Sequence, residues 1–132
     1  MAMMIHSQKR TPKPVVAIGT SSNGFIGKTI QYVGKAAHAA DAPDQGINAL
    51  NAAMLGIMGI NALRETFRDD DAIRVHPIIT KGGDLVNNVP DDVRIETYVR
   101  AKSMDAIDRT NAKVDAALRA GGAAIGAKVN ID

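Results

Sequence analysis

The sequence predicts an α+β fold in which two helices cover one face of a four-stranded antiparallel sheet. Three observations predict it. Residues 92–101 alternate between apolar and polar side chains, as a strand does when one face is buried and the other is open. Two longer segments, about 46–67 and 103–120, carry apolar residues at helical spacing. Shorter segments with strand composition flank them, which gives the order β-α-β-β-α-β.

The first predicted strand covers residues 25–33, where β-branched and aromatic residues are frequent. Within it, Gly27-Lys28-Thr29 resembles the end of a phosphate-binding loop, but that motif requires a further glycine where this chain has Ser22. The motif also has to open a helix, so we interpret the segment as an ordinary exposed strand. Before it, residues 7–14 have linker composition, and residues 15–18 could form another short strand.

The first predicted helix has more apolar surface than one buried stripe requires. Its helical stripe consists of Ile47, Leu50, Met54, Ile57 and Asn61. Leu55, Met58 and Leu63 extend the apolar surface, which predicts a helix that is covered on more than one side. The sheet of the domain would cover one side, and a second subunit the other. Gly56 and Gly59 would let another backbone approach closely.

The next two predicted strands follow each other directly. Residues 72–80 have strand composition, and Pro77 restricts them to an edge or a bulge because proline cannot donate a ladder hydrogen bond. A turn at residues 81–84 leads to the alternating strand at 92–101. Its two predicted faces are Val93, Ile95, Thr97 and Val99 on the buried side, and Arg94, Glu96, Tyr98 and Arg100 on the open side.

The last helix and strand complete the pattern. Ser103 is a suitable N-cap for the second helix, and Gly121-Gly122 is expected to end it at about residue 120. Its predicted stripe is Ile107, Asn111, Val114 and Leu118. Residues 127–131 alternate again as a final strand. Two helices on one face of an antiparallel sheet in this order form the ferredoxin-like layout.

Composition excludes several classes of function. The 132 residues contain no cysteine, which rules out disulfides and thiolate metal sites. The net charge is +2 with acidic and basic residues interspersed, which is untypical of a nucleic-acid-binding surface. The longest apolar run is interrupted by polar residues and is too short for a membrane span. By default we expect a cytoplasmic protein without nucleic-acid or membrane partners.

Candidate chemistry is sparse. His6, His38 and His76 have no metal-ligand spacing, so no complete metal site is predicted within the chain. His38 lies in a loop of small residues, where it could serve a ligand or simply bond to nearby backbone. Arg100 could be a solvated charge, and Asn87 an ordinary turn residue. The residues alone leave these alternatives open.

Taken together, several segments resemble a known domain. Gly34-x-x-x-His38-Ala39 followed by Pro43-x-x-Gly46-Ile47-Asn48-Ala49-Leu50 is similar to the lid of the dinuclear-metal amidohydrolases and exopeptidases. That family includes carboxypeptidase G, aminoacylase, indoleacetyl-amino-acid hydrolases and aminobenzoyl-glutamate hydrolase. Gly82-Gly83-x-x-x-Asn87-x-x-Pro90-Asp91 resembles its second lid motif, although Asn88 stands where the family commonly has a branched aliphatic residue. Arg100 follows Asn87 by 13 residues, as the lid arginine does in the family.

The resemblance implies specific roles. The lid would mediate homodimerisation through its first helix and an edge strand. His38 would stabilise the oxyanion of an amide substrate, in its own subunit or across the dimer. Asn87 and Arg100 would bind the substrate's carboxylate or the neighbourhood of its amide, and all three side chains would then lie around one shared cavity. The catalytic domain of the family holds two metal ions, usually zinc, and a glutamate base.

The parts of the family that this chain lacks define the expected domain organisation. The metal-binding motifs of the catalytic domain are absent. Residues 22–132 would therefore be an isolated lid domain, inactive by itself, which depends on a missing catalytic domain with two zinc or manganese ions. Residues 1–21 would be a linker and a remnant of that domain, with His6 as an orphan metal ligand. Its substrate would be an N-acyl amino acid-like amide.

A second function remains open from the sequence. The ferredoxin-like layout also occurs in free-standing regulatory modules that bind amino acids. It further occurs in RNA-binding domains, which stack bases on sheet aromatics. Here the open face offers Tyr98 without a matching aromatic pair at the expected positions, which disfavours RNA binding.

Overall fold

The structure is a computed structural model that describes residues 22–132. His6 and the strand expected at residues 15–18 lie outside the described residues. Within them, the strands and the two α-helices follow in the predicted order. There are five strands instead of four, because the strand predicted at residues 72–80 is divided into two pieces. Their bounds are β1 Gly24–Val33, α1 Ala49–Leu63, β2 Arg74–Val75, β3 Ile78–Lys81, β4 Asp92–Ala101, α2 Met104–Ile125 and β5 Lys128–Ile131.

The strands form one antiparallel sheet that confirms the predicted fold class. Its order is β2-β4-β1-β5, and β3 also pairs with β4. Val75 is aligned with Val99 and Ile78 with Glu96, so β2 and β3 keep one register along β4. They are a single edge strand interrupted at His76 and Pro77, as expected from the missing N–H of proline.

The two faces of β4 are those that the alternation predicts. Val93, Ile95 and Val99 are fully buried, and Thr97 is nearly so. Both helices pack on this side of the sheet. The residues that alternate with them, including Tyr98 and Arg100, are exposed on the other face. We call the helix-free side the open face.

Lys28 departs from the expectation of an exposed strand. The even-numbered residues of β1 face the helices, so the Lys28 side chain is buried with 8% of its surface exposed. Its Nζ lies 2.7 Å from Asp115 Oδ1 and donates a hydrogen bond to Asn111 Oδ1 at 2.7 Å. The residue is therefore an internal link between β1 and α2, and has no part in phosphate binding.

The buried face of α1 is made of small residues, which corrects the stripe expected from the sequence. Its buried members are Ala49, Ala52, Ala53, Gly56 and Ile60. A Cβ added at Gly56 would overlap the Tyr32 hydroxyl and meet Leu118 of α2 at 3.3 Å. The helices approach each other so closely that only alanine and glycine fit between them over most of this face.

The expected stripe of α1 instead lies beside the edge strand. Leu50 and Ile57 are half-buried, while Met54 and Met58 expose 50% and 62% of their surface. This side of α1 lies near β3, because a Cβ built at Gly82 would be within 3.9 Å of both Leu50 of α1 and Ile79 of β3. We call Leu50, Met54, Ile57 and Met58 the apolar flank.

Helix α2 continues beyond the end predicted for it. Ser103 caps its start as expected, since its hydroxyl accepts a hydrogen bond from the Ala106 N–H at 3.2 Å. Gly121 and Gly122 lie inside the helix and are buried against α1 and β5. The helix ends at Gly126, whose φ of 83° suits a glycine at the C-terminal cap. The double glycine is therefore a packing feature rather than a stop signal.

Asp92, at the start of β4, makes a contribution to the stability of the fold that depends on pH. Its carboxylate accepts hydrogen bonds from Gln31 at 2.8 Å and from Lys81 at 3.0 Å. These two donors, Gln31 first, lower the pKa of Asp92 from 3.8 to about 2. A carboxyl whose pKa is lower in the folded state stabilises the fold above its unfolded pKa, and this contribution disappears as the pH falls through 2.

We therefore expect Asp92→Asn to lower the free energy of unfolding by about 1 kcal/mol at pH 7. The difference from the unchanged chain should shrink below pH 4 and vanish near pH 2. Urea unfolding at both ends of this range measures it. The control is Asp91→Asn, which removes an exposed neighbouring carboxyl. Equal losses for the two variants, or a difference that persists at pH 2, would contradict the assignment.

Candidate functional site

The loop that carries His38 is closed at its base by backbone pairing. Lys35 and Ile47 exchange two backbone hydrogen bonds, of 3.0 and 2.9 Å. Gly34 makes this closure possible, because a Cβ at that position would overlap the Ile47 carbonyl oxygen. The two ends of the loop between β1 and α1 are thus held together by the backbone, and His38 lies in the segment between them.

His38 and Asn87 lie on neighbouring segments at one end of the sheet. The Ala39 N–H donates to the Asn87 carbonyl at 2.9 Å, and the Val89 N–H donates to the Ala37 carbonyl at 2.9 Å. His38 itself pairs with Asn88 as an isolated β-bridge. The two lid motifs read from the sequence are therefore joined by backbone hydrogen bonds, which keep His38 and Asn87 side by side and exposed.

The hydrogen bonds of His38 select one tautomer of its ring. Nδ1 accepts the backbone N–H of Ala40 at 3.3 Å and that of Asp41 at 3.2 Å. A nitrogen that accepts two donors has no proton of its own, so the ring proton is on Nε2. Asp41 Oδ2 lies 3.7 Å from Nδ1, which is beyond hydrogen-bonding distance. The half-exposed ring therefore presents an N–H donor, and its acceptor nitrogen is already occupied.

This assignment predicts an NMR signature. Long-range proton–nitrogen correlation spectra of the neutral His38 ring should show a protonated Nε2 and an unprotonated Nδ1. His76, with no hydrogen bond to its ring among the described residues, is the internal control and should show a mixture of tautomers. A His38 ring protonated at Nδ1, or a mixture like that of His76, would contradict the proposed donor.

Arg100 lies near the end of β4, away from His38 and Asn87. Its guanidinium carbon is 5.4 Å from the centre of the Phe25 ring and 5.1 Å from that of Tyr98. The two rings are themselves packed edge to face at 4.9 Å. Such cation–π contacts hold a guanidinium in place while its N–H groups stay available. Arg100 is thus an ordered, exposed cation on the open face.

One chain does not collect the three candidate residues around one cavity. Asn87 precedes β4 and Arg100 is near its end, so about 25 Å of strand separates His38 and Asn87 from Arg100. Beside the first two is a pocket of about 490 Å³, which is lined by Asn48, Asn88 and Leu50 among others, and by neither His38 nor Asn87. The expected shared cavity is therefore absent within the described part of a single subunit.

Sequence reasoning did not group Arg100 with the polar residues that share a pocket with it. Arg74, His76 and Glu96 line one open-face pocket with it. The signal was present in the alternation of both strands, but it becomes readable only once the register aligns Arg74 with Arg100. The pattern of a single strand shows which charged residues are exposed, but not which residues of another strand lie beside them.

The described residues offer no site for a metal ion. Between residues 22 and 132, no group of three or more histidine, aspartate or glutamate side chains could hold one. The same part of the chain contains no helix that is long and apolar enough to cross a membrane.

Comparison with known proteins identifies the family of the chain. Residues 20–125 match the family described as peptidase dimerisation domain. The Xaa-Arg dipeptidase of Mus musculus is 38% identical over 104 residues, which are 79% of this chain and 24% of that protein. The Xaa-Arg dipeptidase of Homo sapiens is 36% identical over 103 residues, 78% of this chain and 23% of that protein. The chain thus spans about a quarter of the length of these relatives.

Solved structures share the fold. The aminobenzoyl-glutamate utilization protein from Klebsiella pneumoniae aligns with a TM-score of 0.73 at 24% identity, over 81% of this chain and 27% of that one. A hydantoinase/carbamoylase family amidase from Burkholderia ambifaria aligns with a TM-score of 0.73 at 20% identity, over 86% of this chain and 28% of that one. The family match extends over most of the sequence, and the chain belongs to the peptidase dimerisation domain family.

Proposed function

We propose that this chain is the dimerisation and substrate-gating lid of a metal-dependent amidohydrolase or peptidase that cleaves N-acyl amino acid-like amides. The observation that carries the proposal is the His38 ring, whose Nε2–H is presented by a doubly anchored loop beside Asn87. The family and the dipeptidase names of the two relatives support an amide substrate with a carboxylate. Residues 1–21 would lead from the lid towards the catalytic part.

The apolar flank supports a homodimer. Met54 and Met58 are at least half exposed on it, and Ile79 of the adjacent edge strand exposes 41% of its surface. The outer side of β2 and β3 has no strand partner within the described residues. An apolar helix side next to an unpaired strand edge is a surface that a second copy can bury and hydrogen-bond.

A two-fold axis perpendicular to the sheet is the symmetry that buries both features at once. The two edge strands would then pair antiparallel, and the two α1 helices would lie next to each other on the same side of a continuous sheet. An axis within the sheet plane would place the helices on opposite sides and leave each apolar flank exposed. We therefore infer the perpendicular axis.

This symmetry gives a reason for the separation of His38 from Arg100. Antiparallel neighbours lie with opposite ends side by side, so the His38 end of one copy comes next to the Arg100 end of its partner. A substrate held by Arg100 of one subunit would then meet His38 of the other subunit. The sequence leaves open whether His38 acts in its own subunit, and the geometry of the dimer favours action in trans.

The proposed roles follow from the chemistry of the side chains. The Nε2–H of His38 would donate to the oxyanion that develops on the amide carbon, a contact that can supply about 3 kcal/mol of transition-state stabilisation. The guanidinium of Arg100 would bind the substrate carboxylate through two parallel hydrogen bonds. Asn87 would bind the amide neighbourhood beside His38. The metal ions, zinc or manganese, would belong to the catalytic part of the enzyme.

Subunit complementation tests the proposal in an enzyme that contains this lid and its catalytic part. His38→Ala and Arg100→Ala homodimers should each lose about 100-fold in kcat/KM. A purified heterodimer of the two variants should regain one of its two sites, because one site combines an intact Arg100 with an intact His38 from the partner. The isolated chain should hydrolyse no N-acyl amino acid, with or without added zinc or manganese.

A mirror-image heterodimer provides the control. It combines the double variant His38→Ala/Arg100→Ala with an unchanged subunit. Action in trans predicts almost no activity, because each site then lacks one of the two groups. Action in the same subunit predicts the reverse pattern: one intact site in this heterodimer and none in the first. Turnover by the isolated chain would overturn the lid assignment itself.

A further inference from the structure

The open-face pocket beside Arg100 contains charges of both signs. It has a volume of about 600 Å³, which is within the range of small-molecule sites. Arg74, His76, Ile78, Glu96, Tyr98 and Arg100 line it. These six lie on β4 or on the edge formed by β2 and β3. The rest of the lining is Thr97 of β4 and Gly27, Lys28 and Thr29 of β1, so the pocket extends across β4 from the edge strand to β1.

Gly27 accommodates the Tyr98 ring in the lining of the pocket. The Tyr98 ring leans over this glycine, such that a Cβ built there would lie only 3.2 Å from the ring. Gly27 is directly opposite Tyr98 in the strand register, so the ring lies against β1 at this glycine. A side chain at position 27 would have to displace this ring, which is part of the pocket lining.

The cations of the pocket are concentrated at one end. Arg74 and Arg100 are directly opposite each other in the strand register. Arg74 NH1 donates to the carbonyl of its own neighbour Ile73 at 2.7 Å, and Arg100 is held by the two aromatic rings. Neither guanidinium lies within 4.0 Å of a carboxylate of the described residues. This end is suited to bind an anionic group.

Glu96 supplies the opposite charge at the other end. It is aligned with Ile78 of β3. It precedes Arg100 by four residues on the same face of β4, so their Cα atoms are about 13 Å apart. The charged groups can come closer than this, because both side chains are long. Within the described residues no ion pair includes Glu96. Its exposed carboxylate is therefore available to a cation on a ligand and repels a second anionic group.

We propose that the open-face pocket binds the carboxyl-terminal residue of the substrate and that Glu96 selects a basic side chain there. Arg100 and Arg74 take the terminal carboxylate, and Glu96 pairs with an ammonium or guanidinium at the end of the side chain. An arginine or lysine residue carries both charges on one flexible chain, so it can bridge the two ends. An acidic residue places a second carboxylate next to Glu96 and is rejected. This inference rests on the proposed function, because it takes Arg100 as the carboxylate clamp.

Titration of the isotope-labelled full chain with dipeptides tests this selectivity without catalysis. The probes are glycyl-arginine, glycyl-leucine and glycyl-glutamate, followed through the backbone amides of Gly27 and Tyr98. We expect glycyl-arginine to bind at least about 10-fold more tightly than glycyl-glutamate, with glycyl-leucine between them. Glu96→Gln should reduce the ratio between the charged dipeptides to about 3-fold or less.

Glu65→Gln is the matched control, since it removes the same charge from an exposed turn after α1. It should leave all three affinities unchanged. Equal affinities for the three dipeptides, no binding of any, or equal effects of the two glutamine variants would overturn the inference. The proposed function is judged separately by complementation. A failed titration with successful complementation would refute the open-face pocket and the selectivity of Glu96, and would leave the lid assignment intact.

Discussion

Replacing Gly121 with alanine is expected to lower the free energy of unfolding by about 3 kcal/mol. The added Cβ would lie 2.5 Å from the Ala52 carbonyl oxygen and 2.8 Å from the Gly56 Cα, both in the backbone of α1. Backbone atoms cannot rotate away as a side chain can, so the two helices would have to separate. This distance between α1 and α2 also sets how α1 lies over the sheet. Chemical denaturation at a fixed protein concentration measures the loss.

Gly59→Ala is the control for this prediction. Its Cβ would meet the methyl group of Ala117 at 3.1 Å, a close contact that a small shift relieves. Alanine also favours the helical conformation over glycine by about 1 kcal/mol. We expect a change of less than about 1 kcal/mol in either direction. Equal losses for the two variants would show that the helix crossing is not limited by Gly121.

Replacing Met54 with aspartate is expected to weaken the proposed dimer at least about 100-fold. Met54 lies on the apolar flank and exposes 50% of its surface in the single chain. The two-fold axis would place both copies of the new carboxylate in the interface, where burial without a partner is costly. Sedimentation velocity over a range of micromolar concentrations should show a dimer for the unchanged chain and a monomer for the variant.

Met104→Asp separates an effect on the interface from a general effect of charge. Met104 exposes 62% of its surface but lies in the first turn of α2, away from the apolar flank. An acidic residue is compatible with a helix N-terminus. This variant should remain a dimer with unchanged helix content. Dissociation of both variants, or of neither, would contradict the assignment of the interface to the apolar flank.

The sequence predicted the sheet well, because alternate residues of a strand lie on opposite faces and an alternating pattern therefore indicates which residues are buried. The faces of β4, the N-cap Ser103 and the break at Pro77 all follow from local chemistry. The buried face of α1 could not be found in this way. Hydrophobic periodicity identifies where large apolar side chains recur, and on α1 these lie on the apolar flank. The core face is built from alanine and glycine, whose role depends on how closely α2 approaches.

The candidate site was only partly accessible from the sequence. The two lid motifs place His38 and Asn87 in loops, and the structure joins these loops through the backbone of Ala39 and Val89. The separation of Arg100 from them is a consequence of the ten residues of β4. Its neighbours Arg74 and Glu96 become meaningful only through the strand register. The sequence also does not indicate whether His38 and Arg100 of one site come from the same subunit or from two subunits.

Distances between two copies of the isolated chain test the central claim, the perpendicular two-fold arrangement, most directly. The chain contains no cysteine, so spin labels on Ala40→Cys and Lys102→Cys are unique. Both positions are exposed, one in the His38 loop and the other just after β4. The account predicts about 20 Å between residue 40 of one copy and residue 102 of the other, and about 40 Å between equivalent positions. A shorter distance between equivalent positions, or no dipolar coupling between copies, would contradict it.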